Sequence, residues 1–155
     1  MQDITLLDLF TADIGTAGQL LELIEAEHQA LTERDLSRLE GLLQDKHPLL
    51  TLLQQHGSER SRLLQQAGFS ADRHGLETLA AGSSLGGQLL ARSEELASLL
   101  QRCQEANLRN GRLIRANQAT VGNLLGILRG GDTPGLYDSR GSTARVAQQR
   151  PLSQA

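Results

Sequence analysis

Aromatic side chains are nearly absent: Phe10, Phe69 and Tyr137 are the only three in 155 residues. Valine occurs twice, at Val121 and Val146. So few aromatic and β-branched residues leave little material for strands. The single cysteine, Cys103, excludes an internal disulfide. No apolar run reaches the roughly 18 residues that a membrane-spanning helix needs. Lysine and arginine are missing from Met1 to Glu33, a stretch that holds seven acids: Asp3, Asp8, Asp13, Glu22, Glu25, Glu27 and Glu33. A secretion signal would open on basic residues, so none is expected, and the expected location is the cytoplasm. At the other end, Ser139 to Ala155 carries Arg140, Arg145 and Arg150 and no acid. Three scattered arginines without interleaved aromatics argue against a nucleic-acid partner.

What is present is leucine, alanine, glutamine, glutamate and arginine, the mixture of long helices and coiled coils. Net charge is −3. The acidic first segment faces a remainder with 15 basic and 11 acidic residues, an asymmetry that favours one packing register. Leu7, Phe10, Ile14, Ala17, Leu21, Ile24, His28 and Leu31 step by three and four, which is a heptad seam over residues 3–31. Gly15 and Gly18 interrupt it and mark either a close approach or a soft spot. Thr32, with Asp35 three residues on, is expected to cap the next helix.

A second helix is expected over about 33–67, on Leu36, Leu39, Leu43, Lys46, Leu50, Leu53, Gly57, Arg60 and Leu64. Lys46 and Arg60 interrupt its seam, and their stems are expected to pack while their charges reach water. Pro48 predicts a kink near 44–48. The short turn between the two helices makes them antiparallel neighbours. Ser70 is the expected cap of a short helix reaching Ala81. Gly82 to Gly87 then reads as a flexible turn, and a third long helix runs from there to about Arg129. The expected fold is all-α: a long antiparallel hairpin with a third long helix packed along it, as a coiled-coil-like three-helix bundle. The expected domains are a helical body at 1–129 and a flexible tail at 130–155.

The third helix carries an apolar stripe through Leu89, Leu96, Leu100, Cys103, Ile114, Val121, Leu124 and Leu128. Asn107, Asn110 and Asn117 fall on it. Buried asparagines either set the register of a bundle or mark a face that is filled only when a partner arrives. Catalytic constellations are poor. Glu25 and His28 make one Glu-x-x-His, whereas a di-metal bundle needs two and two further glutamates. Gly82 to Gly87 lacks the lysine and the preceding strand of a phosphate loop. Cys103 has no base beside it, and His56 has no evident partner. Neither an enzyme nor a cofactor is expected.

Several stretches together resemble the FlgN family of flagellar type III export chaperones. They are Cys103, the run from Asn107 to Ile114 (Asn-Leu-Arg-Asn-Gly-Arg-Leu-Ile), Leu124-Leu125-Gly126, Leu136-Tyr137-Asp138 and Gly141. Ala30 to Asp35 and Lys46 with Leu49-Leu50 also fit, and Pro48 departs from the pattern. The resemblance implies a cytosolic chaperone that holds the C-terminal helices of the hook–filament junction proteins FlgK and FlgL, prevents early assembly and delivers them to the export gate. It implies client binding by Val121, Leu124, Leu125 and Leu128, and contact between Tyr137 and the gate component FlhA. The alternative is a structural coiled-coil adaptor whose seams are permanently filled and which has no export client.

Overall fold

The computed structural model describes residues 2–128, with side chains described as far as residue 116. Four helices follow one another: α1 (Gln2–Glu33), α2 (Leu36–Gln66), α3 (Arg73–Ala81) and α4 (Gly86–Leu128). The described residues include no strand. Packing divides the chain into two compact units, residues 1–110 and 111–155. The expected change of domain at 129–130 falls where the described residues end.

Within the first unit, α1 and α2 are antiparallel. Their cross-helix bonds run from Asp13–Arg60 to Glu27–Lys46, so one helix descends as the other climbs. The proximal part of α4 runs parallel to α1, because Asp3, Ala17 and Ile24 meet Ser83, Cys103 and Asn110 in the same order. Two apolar clusters lie between the helices. Leu6, Phe10, Ala17, Leu63, Leu64, Leu76, Leu79, Leu89 and Leu96 form one. Leu20, Ile24, Cys103 and Ala106 form the other, with Leu49 and Leu53 against it. Leu6, Ile24 and Leu89 are fully buried, each worth roughly 1.5–3 kcal/mol against exposure.

The seam of α1 is rotated from the expected one. Phe10, Ala17, Ile24 and Leu31 are buried as the spacing predicts, but Leu7, Ile14, Leu21 and His28 are only half-buried. Leu6, Asp13, Leu20 and Glu27 take the inner positions instead. Two carboxylates therefore lie inside the bundle, and their cationic partners on α2 account for the rotation.

Helix ends also differ from the expected caps. Thr32 is still helical, and its hydroxyl donates to the His28 carbonyl. Asp35 caps α2, its Oδ1 accepting from Arg38 N at 3.1 Å. Between them Arg34 takes φ 58°, and Asp35 N bonds back to the Ala30 carbonyl, the pairing of a left-handed helix end. Gly68 does the same after α2 at φ 89°, where Phe69 N donates to the Leu64 carbonyl. Helix α2 continues through Pro48 without a break. Asp72, rather than Ser70, caps α3. Its Oδ1 accepts from Gly75 N at 2.9 Å and from the Ser70 hydroxyl at 2.6 Å, and the two bonds, the hydroxyl's first, hold its carboxyl below the ordinary aspartate range.

The Gly82–Gly87 turn is tied down at both sides. Ser83 Oγ donates to Asp3 Oδ2 at 2.7 Å, the largest of several contacts that lower the Asp3 pKa to about 2. A side chain at Gly86 would meet the Ala80 carbonyl oxygen at 2.0 Å, so the chain crosses itself there at a distance open only to glycine. No such approach exists at Gly15 or Gly18, where a Cβ would have open space.

Candidate functional site

Residues 111–128 of the second unit are helical throughout, as the last part of α4. Val121, Leu124, Leu125 and Leu128 therefore stand at i, i+3, i+4 and i+7, the spacing of one helix face. Their side chains lie outside the described residues, and Tyr137 lies outside them altogether. Ile114, one heptad before Val121, falls on the same face and is 40% exposed. Arg112 and Arg115 are exposed on other faces of the same stretch. No acid occurs between Glu105 and Asp132.

The asparagines sort differently from the apolar residues. Asn110 is 4% exposed and continues the heptad positions of Leu89, Leu96 and Cys103. Its Nδ2 donates to the Ile24 carbonyl at 2.9 Å. That leaves Oδ1 for His28 Nδ1, 3.2 Å away, so Nδ1 carries the proton. Every strong hydrogen-bonding atom of the amide has a partner, which is the register-setting use of a buried asparagine. Asn107 is exposed, and its Oδ1 accepts from Lys46 Nζ at 3.2 Å. The side chain of Asn117 lies outside the described residues.

Lys46 and Arg60 do not reach for water. Lys46 Nζ donates to Glu27 Oε1 at 3.1 Å, and Glu27 is 3% exposed. Glu27 Oε2 is buried without a protein partner. Arg60 Nη1 donates to Asp13 Oδ2, and His56 Nδ1 lies 2.6 Å from Asp13 Oδ1. The Arg60 guanidinium also sits 5.0 Å from the centroid of the Phe10 ring. A carboxylate with no exposed surface is tolerated because two α2 donors converge on it. Beside this group opens a cleft with an apolar floor from Phe10, Leu64 and Leu76. Its two arginines, Arg60 and Arg73, already face Asp13 and the pair Glu77 and Glu94.

Those ties also use the residues that suggested chemistry. Glu25 Oε1 accepts from Arg109 Nη2 at 2.8 Å, and His28 is held by Asn110. Among the described residues, no group of three or more His, Cys, Asp and Glu could hold a metal ion. Burial pushes the Cys103 thiol above its ordinary pKa, and its Sγ donates to the Ala17 carbonyl at 3.6 Å. A thiol held protonated in this way is a poor nucleophile. No helix of the described residues is long and apolar enough to cross a membrane. The pairing of Asp13 with His56 was missed in the sequence, where His56 has no evident partner. The usable signal was spacing, since Asp13 and Glu27 on α1 are as far apart as Lys46 and Arg60 on α2.

The FlgN protein family model matches residues 1–145. None of the curated proteins is significantly similar to the chain. Among solved structures, a flagella synthesis protein FlgN of Pseudomonas aeruginosa is 54% identical, with a TM-score of 0.69, over 81% of this chain and 96% of that one.

Proposed function

The chain belongs to the FlgN family, which places it in flagellar assembly, and from that premise we propose that it is a cytoplasmic export chaperone rather than an enzyme. Its clients are the C-terminal helices of the hook–filament junction proteins FlgK and FlgL. It keeps them from pairing early and delivers them to the export gate, where Tyr137 contacts FlhA.

The observation that carries this reading is the helical course of α4 through Leu128. It puts Val121, Leu124, Leu125 and Leu128 on one face, with the exposed Ile114 a heptad earlier. Client segments are amphipathic helices in this reading. The surface that receives such a helix is an apolar stripe of the same period. Recognition by apolar burial alone needs no cofactor and forms no covalent bond, so the client is released unchanged. The same spacing would serve a permanent coiled-coil adaptor, and membership of the FlgN family favours the export chaperone.

Co-purification with the C-terminal segments of FlgK and FlgL is the test. Wild type retains both segments. Leu124→Ala with Leu128→Ala removes two large side chains from the face and weakens retention by roughly tenfold or more. Undiminished retention by the double variant excludes this face, and no retention by wild type excludes the chaperone reading.

A further inference from the structure

Helix α2 is held unevenly along its length. Its last turns are anchored: Leu63 and Leu64 are buried, and His56 and Arg60 meet Asp13. Its first half is held less firmly. No residue from Leu36 to Arg62 is buried. Leu36, Leu43 and Leu50 stand outward, 73%, 51% and 45% exposed, and contribute little to the hold. On the inner side Leu49 and Leu53 pack against Leu20, Ile24, Cys103 and Ala106, and both remain half-buried. The polar tie of this half carries a cost of its own. Lys46 reaches Glu27 and Asn107. Glu27 is 3% exposed, and its Oε2 is buried without a protein partner. Much of what such a carboxylate gains by pairing is offset by its lost hydration. Pro48 weakens the segment further, because it has no N–H for the Gln44 carbonyl.

We propose that residues 36–55 form a strap that opens and closes over the Leu20–Ile24–Cys103–Ala106 cluster while the rest of the first unit stays packed. Its two ends are fixed. At one, Asp35 N is bonded to the Ala30 carbonyl of α1. At the other, Asp13 holds His56 and Arg60. The segment between can let go without disturbing the larger cluster of Leu6, Phe10, Leu63, Leu64, Leu76, Leu79 and Leu89. Helices in proteins owe most of their stability to packing, so the lifted segment loses helical order and regains chain entropy. Glu27 and Lys46 regain water in the same step. Opening uncovers the apolar face that α1 and α4 share, where Cys103 meets the Ala17 carbonyl and Asn110 the Ile24 carbonyl.

Cys103 reports the opening. It is the one thiol of the chain, is 4% exposed and lies in the covered cluster. The full chain is labelled with dithiobis(nitrobenzoate) at rising urea, below the unfolding transition. The expected rate is roughly tenfold or more above what global unfolding allows, and it climbs with urea less steeply than global unfolding does. Pro48→Ala restores the missing N–H and slows labelling by roughly tenfold. Gly15→Ala strengthens α1, which stays packed whether the strap is open or closed. It therefore raises the urea midpoint and leaves the labelling rate unchanged. Labelling that matches global unfolding in rate and urea dependence, or that Gly15→Ala slows in proportion to its stabilisation, overturns the strap. A rate that Pro48→Ala leaves unchanged does the same.

Discussion

Arg60→Met lowers the free energy of unfolding by about 3 kcal/mol, the range expected when one partner of a buried ion pair is removed. Asp13 has no exposed surface, and Arg60 and His56 are the donors its carboxylate has from α2. Methionine keeps the volume and a sulfur against the Phe10 ring, so the loss comes from the charge rather than from packing. Asp13 would then lie in an apolar layer with one imidazole as its remaining partner from α2. Adding Asp13→Leu to the same chain removes the stranded carboxylate and recovers more than half of the loss. Urea unfolding of the four corners of this cycle measures the coupling. A double variant as unstable as Arg60→Met alone would mean that packing, not pairing, holds this layer.

Gly75→Ala costs roughly 2–3 kcal/mol, at the upper end for inserting one methyl group. The added carbon would lie 1.7 Å from the Ser70 carbonyl oxygen and 2.6 Å from its carbon. Both are backbone atoms of the loop that Asp72 organises, so no side chain can swing aside. The loop must open, which breaks the Asp72 cap and draws Leu76 and Leu79 out of the core. Gly15→Ala is the matched control. Its new methyl meets nothing within 4 Å, and removing a helix-interior glycine gains about 0.5–1 kcal/mol. Equal effects at the two positions would show that helix propensity, not the crossing at Ser70, governs Gly75.

Element order was legible because leucine periodicity over 30 residues outweighs local exceptions. All four helices fall where the spacing predicts, including the short one ending at Ala81. The inner face of α1 was not. Leu6 and Leu20 sit beside Leu7 and Leu21, and a hydrophobicity pattern cannot choose between adjacent leucines. The choice is made by Asp13 and Glu27, which a pattern reader puts outside and which α2 draws in through Arg60 and Lys46. Long-range pairing decided the register, and single-residue hydropathy carries no record of it. Caps were missed for a related reason. At Thr32 and Ser70 a plausible cap precedes a better one, and Asp35 and Asp72 win because a carboxylate suits the positive helix end. Of the three asparagines, Asn110 is the buried register-setter and Asn107 a surface partner of Lys46, a difference decided by the roughly 60° between them on the helix wheel. The distal face was legible as a spacing, and its helical backbone follows that spacing to Leu128.

Hydrogen exchange of the intact chain, with and without the FlgK or FlgL C-terminal segment, tests client capture by the distal face most directly. The expected result is slower exchange across residues 111–128 when client is present, with the Asn110 tie and the core around Ile24 unchanged. A complex that forms while exchange in 111–128 stays the same would contradict it.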